Sequence, residues 1–257
     1  IPFENQMWYS LESAETRSLT SAYTQWSMMS WLGRVNYSLK DRYLFTASVR
    51  YDGSSRLAEG HKWVAFPSLA LGWRITEEEF MKDNRVVSNL KLRLGFGVTG
   101  NSAVAPYSTE GQIKASRYNW EKTEGVLGYE PSTLSNKALS WEKTEQYNAG
   151  VDFGFYKGRL SGTIDLYQQH TYNLLMARSL PAVSGFTSIM QNIGETQNKG
   201  IEISLNTVNI KKKNIMWTTD FTFAANDEKI TMLASGLSED LANFWFVGYP
   251  IDTYYDY

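Results

Sequence analysis

Side chains switch between apolar and polar at every second position in at least seven separate stretches, a period that strands satisfy and helices cannot. Within residues 43–52, Tyr43, Phe45, Ala47, Val49 and Tyr51 share one face, while Thr46, Ser48, Arg50 and Asp52 share the other. The pattern returns at 31–38, where Trp31, Gly33, Val35 and Tyr37 oppose Arg34, Asn36 and Ser38, and at 90–99, where Leu90, Leu92, Leu94, Phe96 and Val98 oppose Lys91, Arg93, Gly95, Gly97 and Thr99. Four more stretches, at 146–155, 160–166, 201–206 and 217–223, repeat it. An eighth candidate, 63–75, contains Pro67, which removes a ladder donor and predicts a bulge or a local break. Only two short pieces read as helical turns: 76–83, with Thr76 as cap, and 227–235.

Composition agrees with strands and tight turns: 19 Gly against 6 Pro, and 14% aromatic residues, over 257 residues. Lys plus Arg number 25 and Asp plus Glu 27, so the net charge of -2 offers no basic surplus for nucleic acid. Without cysteine there is no disulfide framework, thiolate metal site or thiol nucleophile. No apolar run approaches the roughly 18 residues of a membrane helix. The polar mean hydropathy does not exclude a membrane protein, because a transmembrane β-barrel alternates lipid-facing with lumen-facing residues. The start, Ile1-Pro2-Phe3-Glu4-Asn5, has neither the basic beginning nor the apolar run of a signal peptide, which suggests a mature chain or a piece of one.

The connections alternate in length. Short turns fall at 39–42, 156–158 and 210–214, with a moderate link at 76–88; longer polar links fall at 53–62, 100–138, 178–198 and from 226 onward. Outer-membrane barrels show this division into short periplasmic turns and long outside loops. Six aromatics, Tyr37, Tyr43, Trp73, Phe153, Phe155 and Trp217, flank the shorter turns on the apolar face, where a membrane-interface belt would place them. The competing account is that these rings plug the end of a soluble two-sheet core.

The residues themselves resemble a known family. Trp31-Leu32-Gly33-Arg34-Val35-Asn36-Tyr37-Ser38, the run from Asp41 to Arg56, Phe66-Pro67-Ser68-Leu69-Ala70-Leu71-Gly72-Trp73-Arg74, Leu90 to Asn101, Trp141-Glu142-Lys143-Thr144-Glu145-Gln146 and Asn198-Lys199-Gly200-Ile201-Glu202 are similar, in the same order, to the barrel of SusC/RagA-type TonB-dependent outer-membrane transporters. The resemblance implies an all-β fold: an antiparallel up-and-down transmembrane β-barrel of about twenty-two strands closed around a plug. It also implies a SusD-like surface lipoprotein as lid, the TonB complex as drive, import of oligosaccharides or oligopeptides, and a Gram-negative outer membrane as location. Eight strands cannot close such a barrel, so residues 1–257 read as one partial β-barrel domain lacking the plug and the remaining strands, with outer-membrane lipid on one side. Val247 to Tyr254 looks like an interior segment of the family. The rival reading is a soluble all-β carbohydrate-binding or glycoside-hydrolysing module.

Neither a catalytic residue nor a metal or cofactor site emerges. His61 and His170 are the only imidazoles, and no GxSxG, HExxH, GxxxxGK or GxGxxG run accompanies them. The acid pairs Glu77 with Glu79 and Glu142 with Glu145 read as solvated turns rather than a glycosidase pair. Gly97-Val98-Thr99-Gly100-Asn101 lacks the lysine of a phosphate loop and reads as a strand-to-loop turn, and Lys211-Lys212-Lys213 as a solvated hairpin turn. Loop aromatics are the candidate contacts for substrate or lid: Tyr118, Trp120, Phe244, Trp245 and Phe246, against the alternative of internal loop packing. Arg34, Arg50, Asp52, Arg93, Asp152, Asp165, Glu202 and Asp220 are the candidate lumen- or plug-facing charges, their mixed sign favouring pairing across a plug interface.

Overall fold

The computed structural model describes residues 23–118, 126–241 and 243–254. Eight long strands form one antiparallel sheet: β1 (Met28–Leu39), β2 (Tyr43–Ser54), β3 (Trp63–Arg74), β4 (Val87–Asn101), β7 (Glu142–Phe155), β8 (Leu160–Tyr172), β11 (Glu195–Lys212) and β12 (Ile215–Met232). Three two-stranded hairpins stand apart: β5 (Ile113–Tyr118) with β6 (Val126–Pro131), β9 (Leu175–Ser179) with β10 (Ser188–Asn192), and β13 (Glu239–Asp240) with β14 (Trp245–Phe246). Each long strand pairs with its nearest long neighbours in sequence, and β1 and β12 form the two edges of the described sheet. All eight alternating stretches are therefore strands. Among the described residues, no helix is long and apolar enough to cross a membrane, which says nothing against crossing by strands.

Register turns the sequence alternation into two-dimensional surfaces, because partners across an antiparallel ladder share a face. Leu39, Tyr43, Trp73, Leu92, Val151, Ile164, Ile203 and Phe223 form an unbroken apolar row across all eight strands. The adjacent row is also apolar: Tyr37, Phe45, Leu71, Leu94, Ala149, Leu166, Ile201 and Ala225. The opposite face carries Asn36, Thr46, Ala70, Gly95, Asn148, Tyr167, Gly200 and Asn226 in one of its rows. The apolar rows are not a buried core: Leu94 is 56%, Leu166 53% and Phe223 47% exposed. These side chains do not converge inside a globule, as the soluble two-sheet account requires.

Two local expectations need correction, and the break expected at Pro67 is present. Pro67 makes no bulge against β2, where it faces Val49 in register, but the β3–β4 ladder begins only at Ser68, so the break falls on the other side of the strand. Residues 75–77 and 79–81 form two single 3-10 turns, and Thr76 lies inside the first without capping it. Residues 227–232 belong to β12, because Glu195–Lys199 of β11 offer ladder partners that outweigh a weak helical preference; only Ala234–Gly236 turns.

The true core lies at the end of the sheet where the long connections meet. Leu57, Phe66, Val104 and Trp141 are buried together, with Val64, Val98, Leu175 and Met190 packed against them. Trp141 Nε1 donates to the Lys62 carbonyl at 2.9 Å, Ala58 N to Leu139 O at 3.0 Å, and Asn136 Nδ2 to Met190 O at 2.7 Å, so three long connections are pinned to one another. The Phe66 ring lies on the backbone of Gly100, in the space a Cβ there would occupy. This close approach requires glycine at 100, within a Gly97–Asn101 run that continues β4 as strand.

At the opposite end, Lys40 and Asp41 adopt φ of 53° and 55°, a left-handed pair at the centre of a tight turn closed by Arg42 N donating to Leu39 O at 3.0 Å. Beside them Glu78 collects three donors: Tyr43 Oη at 2.7 Å, Trp73 Nε1 at 3.1 Å and Arg42 Nη1 at 3.2 Å. Two rings of the apolar face thus turn their polar handles toward the turn, as interfacial aromatics do. The Tyr43 hydrogen bond above all, then that of Trp73, and the Arg42 charge hold the Glu78 carboxyl below its ordinary value of 4.5.

Two outcomes are expected. Gly100→Val should cost about 1–3 kcal/mol of unfolding free energy, since Phe66 must leave its seat, and a thermal unfolding midpoint unchanged from wild type would contradict this. Because the folded pKa of Glu78 is depressed, its latch stabilises above the unfolded value and is lost as pH falls through the folded one; acid unfolding of Glu78→Gln should show a weaker pH dependence below about pH 4.5 than wild type.

Candidate functional site: the polar face and the long-loop rim

Every candidate lumen-facing charge lies on the polar face. Arg93, Gly150, Asp165 and Glu202 occupy one register row across β4, β7, β8 and β11. Arg93 reaches over β7 to bridge two acids, with Nε 2.8 Å from Asp152 Oδ1 and Nη2 3.0 Å from Asp165 Oδ2; Lys91 Nζ stands 3.9 Å from Asp152. Gly150 makes the crossing possible, because a Cβ there would collide with the Asp165 carboxylate and the Arg93 guanidinium. The cluster is only partly exposed, which strengthens its charge-assisted bonds relative to surface pairs.

The remaining charges divide. Arg50 Nε donates to Asp52 Oδ2 at 2.6 Å, and Asp52 is fully buried near the long-loop end. Asp220 accepts from Asn206, its register partner. Arg34 and Glu202 are exposed and have no ion-pair partner among the described residues. Where the mixed signs suggested pairing across a plug, Arg50–Asp52 and Arg93–Asp152–Asp165 pair within the wall itself.

The loop aromatics fall in two separate hairpins. Tyr118 ends β5 and is exposed; Phe244, exposed at φ 56°, leads into Trp245 and Phe246 of β14, and Phe246 meets Tyr249 edge-on at 6.4 Å. Trp120 lies outside the described residues. Backbone bonds from Ile230 N to Tyr249 O and from Gly248 N to Ile230 O hold the last hairpin against β12.

One rim feature was not read from the sequence. Trp26, just before β1, lies under the Arg56 guanidinium at 3.9 Å, and Tyr107 Oη accepts from Gln25 N at 3.2 Å, lining a pocket of about 280 Å³. The available signal was an aromatic directly ahead of the first strand, but only the fold brings positions 26, 56 and 107 together.

The chemistry-bearing alternatives are occupied by structural duties. His170 Nε2 lies 3.0 Å from Glu195, Glu142 accepts from Leu175 N and Asn101, and Glu145 accepts from the Tyr172 hydroxyl. Glu77 pairs with Arg74, and Glu79 with Arg42 and Lys82. No group of three or more metal-ligating side chains occurs among the described residues.

Comparison with known proteins gives this geometry a family. The model described as TonB dependent receptor-like, beta-barrel matches residues 5–256. The TonB-dependent receptor SusC of Bacteroides thetaiotaomicron is 41% identical over 247 residues, covering 92% of this chain and 24% of that receptor. TonB-dependent receptor P3 of Formosa agariphila is 36% identical over 223 residues, 87% of this chain and 22% of the receptor. The solved RagAB peptide transporter superposes with a TM-score of 0.83 at 29% identity, over 96% of this chain and 28% of the transporter chain. The chain thus spans about a quarter of the length of the curated relatives it matches. With one face of exposed apolar rows, one face of polar and paired charges, and this match along nearly its whole length, the chain belongs to the TonB-dependent receptor β-barrel family, in its SusC/RagA branch, and is a protein of the Gram-negative outer membrane.

Proposed function

We propose that this chain is a segment of the barrel wall of a TonB-dependent importer that takes up oligosaccharides or oligopeptides together with a SusD-like surface lipoprotein. The observation that carries the reading is the eight-stranded sheet whose apolar rows run unbroken from β1 to β12, most of their side chains exposed. A wall of this kind makes and breaks no bonds: it supplies a hydrocarbon-compatible outer surface and a water-compatible inner one. The SusC and RagAB relatives support the transporter class, and RagAB is itself described as a peptide importer.

In this reading β1 and β12 meet further strands of the same protein, which satisfies their free backbone groups in hydrocarbon. Arg34, Arg50, Asp52, Arg93, Asp152, Asp165, Glu202 and Asp220 line the lumen, and the plug, which carries the contact to TonB, sits against that face. Tyr118, Trp120, Phe244, Trp245 and Phe246 belong to the outer loops and serve as the candidate contacts to substrate or lid.

The Arg93 cluster sets a first expectation. Arg93→Met in the complete receptor should cost about 1–2 kcal/mol, because Asp152 and Asp165 lose their shared cation on a partly exposed surface. Adding Asp165→Asn should recover part of that loss; additive losses in the double-mutant cycle would argue against the bridge. For the function itself, a tagged complete receptor purified in detergent should bring down a surface lipoprotein, and its deletion should abolish growth on oligosaccharide or on oligopeptide as sole nutrient. Unimpaired growth on both, with no lipoprotein recovered, would contradict the proposal.

A further inference from the structure

Cations at the short-turn end are distributed unevenly. Around β1 to β3 most are neutralised, since Arg42 pairs with Glu78 and Glu79, Arg74 with Glu77, and Lys82 with Glu79, while the exposed Lys40 has no ion pair among the described residues. From β4 to β12 the three connections form one continuous rim: Tyr156 N donates to Val86 O at 2.7 Å, Val208 N to Arg159 O at 2.7 Å, and Arg159 Nη2 to Asn209 O at 3.0 Å. Residues 84–86, 156–159 and 209–214 of this rim contain no acid. Arg85, Lys157, Lys211, Lys212 and Lys213 are exposed, and none has a carboxylate partner among the described residues.

The apolar face rises directly to this basic rim. Lys212 stands opposite Ile215, and Ile210 opposite Trp217, on the same side of the sheet as Phe221 and Phe223. Ile215 and Trp217 are exposed, at 59% and 57%. A lysine stem in that position lies along apolar surface while its ammonium stands at the level of a headgroup. Free phosphate would use the cations alone, whereas a phospholipid uses the cations and the apolar rows beneath them together.

We infer that the rim formed by Arg85, Lys157 and Lys211–Lys213 is a docking surface for glycerophospholipids of net negative charge in the leaflet it faces, an inference that rests on the membrane-wall reading above. Charge complementarity selects the headgroup: a net anionic phosphodiester gains from several ammonium groups at once, and a zwitterionic one brings an ammonium of its own.

The test is lipid retention by the complete receptor, delipidated in detergent and titrated with phosphatidylglycerol or phosphatidylethanolamine under native mass spectrometry. Wild type should retain phosphatidylglycerol preferentially, with an affinity that falls as salt rises. Replacing Lys157, Lys211, Lys212 and Lys213 by Gln should weaken phosphatidylglycerol at least about tenfold, given roughly fivefold per charge near a membrane surface, and leave phosphatidylethanolamine unchanged. Replacing the same four by Arg should preserve the preference. Retention of both lipids without preference, or a Gln variant that binds phosphatidylglycerol like wild type, overturns the inference while leaving the wall reading intact. A receptor that retains no phospholipid of either kind defeats the wall reading itself.

Discussion

Backbone hydrogen bonding in a medium without water is the constraint from which the rest of this chain follows. Each peptide group of a wall strand needs a partner on the neighbouring strand, because hydrocarbon offers none. Continuous ladders answer that need from β1 through to β12, which leaves the side chains free to differ between the two faces. One face is rows of Leu, Ile, Val, Phe and Trp, and the other tolerates glycine, amide, hydroxyl and charge.

The two ends of the sheet are built by different physics. Where long connections meet, chain entropy would leave them loose, and a small core of Leu57, Phe66, Val104 and Trp141 ties residues far apart in sequence into one packed cap. Where short turns join the strands, little chain needs ordering, and the work falls to polar handles. Tyr43 and Trp73 belong to the apolar rows by position, yet they direct a hydroxyl and an indole N–H to Glu78. An amphipathic ring placed there satisfies both its surroundings, which a purely apolar side chain could not. Between the ends, the Arg93 cluster shows how charges can sit on a wall without demanding a partner from outside it.

What could be read from the sequence was what is local. Period two is a property of neighbouring residues, so all eight strands and the division into short and long connections were visible in the order of residues such as Tyr43-Leu44-Phe45-Thr46. The stretch Asp227-Glu228-Lys229 misled because its charges imitate a helix start, whereas its conformation is set by pairing with β11. Trp141 with Lys62, Trp26 with Arg56, and Phe66 against Gly100 are contacts between distant positions, for which neither partner carries a local mark. Gly150 is the clearest case: it looks like an interruption of an alternating strand, and only the register shows that it clears a path for Arg93 to reach Asp165.

The division into a hydrocarbon face and a water face is tested most directly by spin labels placed one at a time along residues 90–96 of β4 in the complete receptor, reconstituted in a bilayer. Collision with apolar oxygen should peak at Leu92 and Leu94, and collision with a polar nickel chelate at Lys91, Arg93 and Gly95, in strict alternation. Labels at Leu92 and Leu94 that are shielded from oxygen, or accessibility without a period of two, would contradict the account.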